Sequence, residues 1–196
     1  MPGERLLALA RARRSVRVYR SDPIDLKDLF YAIETALQAP SGANQQPWTY
    51  VIVVEPELKE RIRKACENAE KKFYSKIRGG LKKWLREKGL SWSKPFLTQA
   101  PVLLAVFTEL GKPYTVQSTW LAIGYLILAL EERGLASLTY TPPNPDKIRE
   151  MLGAPRNHVL QALIPVGYPA DKKNKEPRKP LNQAVYLNKW GGTFNS

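Results

Sequence analysis

The stretch from Gln117 to Arg133 constrains the fold more than any other part of the chain. It reads as one long helix, apolar or small on most faces, with Trp120, Leu121, Ile123, Tyr125, Leu126, Ile127, Leu128 and Leu130 distributed around its axis. A helix of that kind belongs in the centre of a domain or of a dimer. The chain has 196 residues, and one domain of that size has little room to bury all of it. A partner subunit would cover the remainder. Gly134 follows as a C-terminal stop. No run of about 18 apolar residues occurs, so no transmembrane helix is expected.

The other elements follow from pattern. Leu26, Leu29, Phe30, Ile33 and Leu37 recur at helical spacing within Ile24 to Gln38, with Asp25 as cap, Asp28 three residues on and Pro40 as stop. Thr49 to Val54 and Pro101 to Phe107 are expected to be strands buried on both faces. Pro56 to about Lys88 reads as charged helices broken at Gly79-Gly80. Ala136 to Tyr140 is a short third strand, Asn144-Pro145 opens a helix ending at Leu152, and Val159 to Val166 is a fourth strand. The Pro-broken basic tail ends in AVYLNKW, an extended candidate. With no repeats and no linker, residues 1–196 read as a single α+β domain.

The net charge is +13, and it is clustered. Residues 1–20 hold six Arg against one Glu, 56–94 hold thirteen Lys/Arg against five Glu, and 171–189 hold six against two. Such clusters fit nucleic acid, a phosphate-bearing ligand or a solvated face, and solvation is the first reading for the middle one. The single cysteine, Cys66, allows no intrachain disulfide, agrees with a reducing, cytoplasmic setting and excludes a cysteine metal site within one chain. Cys66 reads as a small packed helix residue. The one histidine, His158, at a strand edge, gives no basis for a Ser/His/Asp triad. No Gly-rich phosphate loop and no suggestive carboxylate pair is present. A chain so short of acids and bases would borrow its reactivity from a cofactor.

Two stretches carry chemistry. Arg13, Arg14 and Arg17 surround Ser15, a cradle for an anion because guanidinium binds phosphate in a forked, charge-assisted way. Ala39-Pro40-Ser41-Gly42-Ala43-Asn44-Gln45-Gln46-Pro47-Trp48 is more constrained than a helix-stop turn requires, and its amides can read a heterocycle edge or sugar hydroxyls.

Together, RRSVRVY and APSGANQQPWTYVIV resemble the opening of nitroreductase-family flavoproteins. The resemblance continues in order through Gln99-Ala100-Pro101-Val102-Leu103-Leu104, the exit Gly134-Leu135-Ala136-Ser137, Val166-Gly167-Tyr168-Pro169 and Pro177-Arg178-Lys179-Pro180-Leu181. It covers nearly the whole chain except roughly 68–95. It implies a nitroreductase-like fold: a central, mainly antiparallel sheet flanked by helices, and a C-terminal extension reaching over the partner of a homodimer, with FMN at the interface. By the same resemblance, Arg13, Arg14, Ser15 and Arg17 hold the phosphate, ribityl and pyrimidine side of FMN. Pro40, Ser41, Asn44 and Gln46 line the ring from the partner subunit. Leu138, Thr139 and Tyr140 present backbone groups to its N5–O4 edge, and Arg178 closes on the phosphate with Lys179 beside it. Thr139-Tyr140-Thr141-Pro142-Pro143 departs from the Trp-Ile-Gly type of sequence common there, and Gly124 stands where the family often has an asparagine.

The implied activity is a ping-pong transfer of hydride from NADH or NADPH, through flavin N5, to a nitro, quinone or related small electron acceptor. No side chain is assigned as catalytic and no metal is expected. In the variable region 68–95, Phe73, Tyr74 and Trp84 are candidates for a lid over the substrate slot. Two alternatives stand. The same fold can carry dehalogenation, flavin destruction or ring oxidation. A basic nucleic-acid-binding module would stack bases on the aromatics of 72–94, but it leaves the Pro40–Trp48 loop without a purpose.

Overall fold

In the computed structural model, which describes residues 4–193, four strands form one antiparallel sheet in the order β1-β2-β4-β3. These are β1 (Trp48–Val53), β2 (Val102–Glu109), β3 (Ala136–Ser137) and β4 (His158–Gly167). β1 pairs with β2 from Trp48↔Thr108 to Val53↔Leu103. β2 pairs with β4 from Val102↔Val166 to Glu109↔His158, with a bulge at Val106/Phe107. The helices are α1 (Arg5–Ala12), α2 (Leu26–Leu37), α3 (Pro56–Lys76), α4 (Gly79–Glu87), α5 (Phe96–Gln99), α6 (Thr115–Glu132) and α7 (Pro145–Met151).

The alternation of side chains along β2 divides the core between the two faces of the sheet. Val102, Leu104 and Val106 face α2 and α6, packing with Leu29, Ala32, Ala36, Ile123, Leu126 and Leu130. Leu103, Ala105 and Phe107 face the other layer, with Ile62 and Cys66 of α3, Phe96 and Leu97 of α5 and Ile148 of α7. Both faces being covered explains why β2 and β4 are almost continuously apolar.

Local chemistry sets several boundaries. The Asp25 side chain accepts from the Lys27 N–H at 2.8 Å and caps α2. Pro56 stands in the first turn of α3. Gly134 takes φ +69° after α6, a conformation that costs a residue with a Cβ. At Gly167 the restriction is space, because a Cβ there would meet Pro101 Cδ at 2.6 Å.

Three expectations change. β1 is an edge strand and only half-buried between its ends, since it has a neighbour on one side alone. The third strand is only Ala136–Ser137; Tyr140 returns to β4 through an isolated bridge with Leu163. The tail is not extended: a 3-10 turn at Leu181–Gln183 and the positive φ of Asn188 and Gly191 fold it back, so that Leu187 N–H donates to Gly192 O at 3.1 Å. No helix among the described residues is long and apolar enough to cross a membrane.

Candidate functional site

The segment after α1 is strapped along the end of the sheet. Val16 N–H donates to Ser137 O at 3.1 Å, Arg20 N–H to Tyr168 O at 2.9 Å, and Ala170 N–H to Val18 O at 2.9 Å. Val16 and Tyr19 turn inward, and the Tyr19 hydroxyl donates to Val16 O at 2.8 Å. Arg14, Ser15 and Arg17 are left on the wall of a cleft.

The cleft has two chambers that share Arg17 and Leu90. The first, about 260 Å³, is basic. Arg14, Ser15 and Arg17 meet Lys173, Lys175 and Arg178 from the tail and Trp84 and Lys88 from the α4 region. Arg14 is ion-paired with Asp171 and donates to its carbonyl at 2.9 Å. Lys88 pairs with Glu176 at 3.1 Å. Beside this wall, Arg13 Nε and Nη2 are buried with no hydrogen-bond partner among the described residues. Burial holds the Arg13 guanidinium below the usual arginine range; Arg178 pushes the same way and Glu131 opposes. Lys175 is lowered by desolvation, then by Arg178 and Arg13. This crowd of cations, with orphaned donors, fits a phosphate dianion: the anion would supply the missing acceptors and relieve the repulsion.

The second chamber, about 510 Å³, is walled by Phe73, Tyr74, Leu90, Phe96, Leu138, Thr139 and Tyr140. Its charges are few and opposed. Glu70 of α3 and Lys94, both buried, lie 3.4 Å apart. The Tyr140 hydroxyl donates to Glu70 Oε1 at 2.8 Å. Lys94 is anchored by its backbone N–H to Glu67 Oε1 at 2.8 Å, and burial lowers its ammonium against the opposing pull of Glu70. Burial, then Cys66 and Glu70, raise the Tyr140 phenol. Cys66 is buried in α3, and its thiol is pushed up to about 12 by burial.

The cleft therefore brings together Arg14, Ser15, Arg17, Arg178, Leu138, Thr139, Tyr140, Phe73, Tyr74 and Trp84. Trp84 borders the basic chamber, and Phe73 and Tyr74 the aromatic one. Lys179 is exposed and does not line it; Lys175 and Lys173 stand there instead. Tyr140 contributes its side chain rather than backbone groups, because its N–H and C=O are both engaged by Leu163. Pro40, Ser41, Asn44 and Gln46 lie elsewhere, beside the start of α6, where Gly42 N–H reaches Ser118 Oγ at 3.3 Å. That loop is held by its own bonds, Gln46 N–H to Ser41 Oγ at 3.0 Å and Gln46 Nε2 to Asn44 Oδ1 at 3.2 Å. Ala43, Asn44 and Gln46 all take positive φ, a strained state that local packing must impose.

Glu70, Lys88, Lys94, Lys173 and Lys175 escaped the motif reading. Glu70 carried a usable signal, since it and Tyr74 stand four apart and share a helix face. Lys94 had none.

Comparison with known proteins places this cleft in context. The Nitroreductase family model matches residues 10–168. The chain is 49% identical over 176 residues to an iodotyrosine deiodinase of Thermotoga neapolitana, covering 90% of this chain and 95% of that protein. It is 35% identical over 192 residues to an iodotyrosine deiodinase of Nematostella vectensis, covering 89% and 72%. A crystal structure of oxidised iodotyrosine deiodinase bound to FMN and 3-iodo-L-tyrosine matches with a TM-score of 0.89 at 46% identity, covering 96% of this chain and 100% of that one.

Proposed function

Since the chain belongs to the nitroreductase family, we propose that it is an FMN-dependent reductive dehalogenase acting on a halogenated tyrosine. The relatives favour this dehalogenating alternative over the nitro- or quinone-reducing activity anticipated from the motifs. The observation that carries it is the buried, opposed pair Glu70 and Lys94 in an aromatic-walled chamber adjoining a basic one. An amino-acid zwitterion presents one ammonium and one carboxylate, and this pair offers one partner for each.

The residues present fit FMN. The basic chamber, with Arg13 behind it, takes the phosphate through Arg14, Ser15, Arg17 and Arg178, joined by Lys175. Leu138 and Thr139 border the adjoining ring position. Bound there, FMN supplies the reducing electrons that replace ring-bound halogen by hydrogen, and NADH or NADPH is the proposed source of those electrons. The protein's own part is placement. Glu70 takes the substrate ammonium and Lys94 its carboxylate. Phe73 and Tyr74, stacked edge to face at 5.6 Å, cover the aromatic chamber and exclude water, and Trp84 covers the phosphate end. Exclusion of water strengthens the Glu70 and Lys94 interactions.

The working unit is a homodimer. Pro40, Ser41, Asn44 and Gln46 do not reach the cleft of their own chain, and a second copy would bring them to it. Trp120, Leu121 and Tyr125 leave an apolar stripe of α6 exposed, the area a partner would cover. Trp190, 90% exposed, lies in the tail proposed to extend over that partner.

The test starts from the visible spectrum of purified protein before and after denaturation, which should give one FMN per chain. Reduced holoenzyme is then mixed with 3-iodo-L-tyrosine and iodide is measured. Stoichiometric iodide release is expected. Rapid NAD(P)H-dependent reduction of a nitroaromatic without iodide release would return the chain to the nitroreductase reading. Strong salt-dependent binding of single-stranded nucleic acid without flavin would favour the basic-module reading.

A further inference from the structure

Tyr140 is anchored to the sheet through its backbone, and its phenol meets Cys66 as well as Glu70 on α3. Its N–H donates to Leu163 O at 3.0 Å and its C=O accepts from Leu163 N–H at 2.8 Å, tying it to β4. Its ring packs edge-on against Phe96, with centroids 5.7 Å apart and planes at 74°. The sheet and Phe96 therefore set the direction from which its hydroxyl approaches Glu70. A glutamate's terminal torsion is broad and roughly two-fold, so a carboxylate has no preferred rotation of its own. In Glu70 both contacts fall on one oxygen: Tyr140 Oη at 2.8 Å and Lys94 Nζ at 3.4 Å meet Oε1. Among the described residues neither makes a hydrogen bond to Oε2, and Glu70 lines the aromatic chamber. The Lys94 ammonium also lies 5.6 Å from the ring centroids of both Tyr74 and Tyr140.

We infer that Tyr140 is a positioning residue for amino-acid recognition: it holds Glu70 by Oε1 so that Oε2 faces the chamber and meets the substrate's ammonium. The inference rests on the reading of that chamber as the site of an amino-acid zwitterion. It assigns to Tyr140 the selectivity between a halogenated tyrosine and a halogenated phenol of the same ring chemistry, which has no ammonium to place.

The experiment compares FMN-loaded wild type, Tyr140→Phe and Glu70→Asp on 3-iodo-L-tyrosine and on 2-iodophenol, reading KM and kcat separately. Tyr140→Phe should raise KM for 3-iodo-L-tyrosine about tenfold, the effect of one hydrogen bond to a charged group. kcat should stay within about twofold, and kcat/KM for 2-iodophenol, which has no ammonium to place, should fall far less than that for 3-iodo-L-tyrosine. An unchanged KM overturns the inference. So does an equal fall on both substrates, which would put Tyr140 in the flavin site or in the fold. If Tyr140→Phe loses its FMN or its circular dichroism, Glu70→Asp decides. It keeps the charge but withdraws the carboxylate from the fixed phenol, so lost preference supports placement and retained preference overturns it. Wild type that releases iodide from neither substrate refutes the dehalogenase reading itself, and the inference with it.

Discussion

Replacing Arg13 by Met should raise the stability of the flavin-free protein and weaken its hold on FMN. Arg13 Nε and Nη2 are buried and unpartnered, and the side chain stands among Arg178 and Lys175 with Glu131 as counter-charge. Each unsatisfied buried donor costs about 1 kcal/mol or more, so Met, which keeps the apolar stem, removes about 2 kcal/mol of strain. Losing the attraction to Glu131 returns about 1 kcal/mol; Arg14 and Lys175 still act on that carboxylate. The net gain of about 1 kcal/mol corresponds to a Tm increase of about 2–4 °C for a chain of this size. With FMN the sign reverses, because charge-assisted bonds to phosphate worth about 1.5–3 kcal/mol vanish and Kd rises roughly 10- to 150-fold. Differential scanning fluorimetry of flavin-free protein and quenching of flavin fluorescence on titration measure the two effects. A lower Tm would mean that Arg13 serves the fold, and an unchanged Kd that it does not serve the phosphate; either result refutes the reasoning.

Trp120→Glu places a charge in the exposed stripe of α6 and should convert the proposed dimer to monomers in sedimentation velocity with loss of bound FMN; a flavin-loaded dimer would contradict the assembly proposed. Cys66, with its folded pKa about 12 against 9.0 for an ordinary thiol, holds a proton that the unfolded chain releases. Its contribution is complete below pH 9 and is lost as pH rises from 9 towards 12, so Cys66→Ala should flatten urea-derived stability over that range. In native protein at pH 8 the thiol should resist a thiol reagent that titrates it fully after denaturation.

Features set by a few neighbouring residues were legible in the chain. The Asp25 cap, Pro56 at the head of α3, Gly134 behind α6 and the apolar β2 all follow from local propensity or period. Arg14, Ser15 and Arg17 line one chamber because they are near neighbours in the chain. What failed depended on distant neighbours. β1 has the composition of a two-sided strand, and only the strand order makes it an edge. Tyr140 has strand-like neighbours, but its partner is Leu163, reached by a bridge outside the short β3. Glu70 and Lys94 are separated by the whole α4 excursion, and their meeting depends on how that excursion returns. The Pro40–Trp48 loop was recognisable as unusual from its residues, and the family resemblance already assigned it to a partner's site, whereas nothing in its composition set its distance from its own cleft.

The order of strands also determines when the cleft can exist. β1 waits for β2 and β2 for β4, partners that lie between 49 and 64 positions further along the chain. Arg14, near the beginning, closes on Asp171, and Arg178 completes the wall. Pairings of such long sequence separation form slowly. During synthesis, N-terminal segments must wait for almost the entire chain to leave the ribosome. The cleft can therefore form only after residue 178 has been synthesised, and the proposed loading with flavin would follow that step.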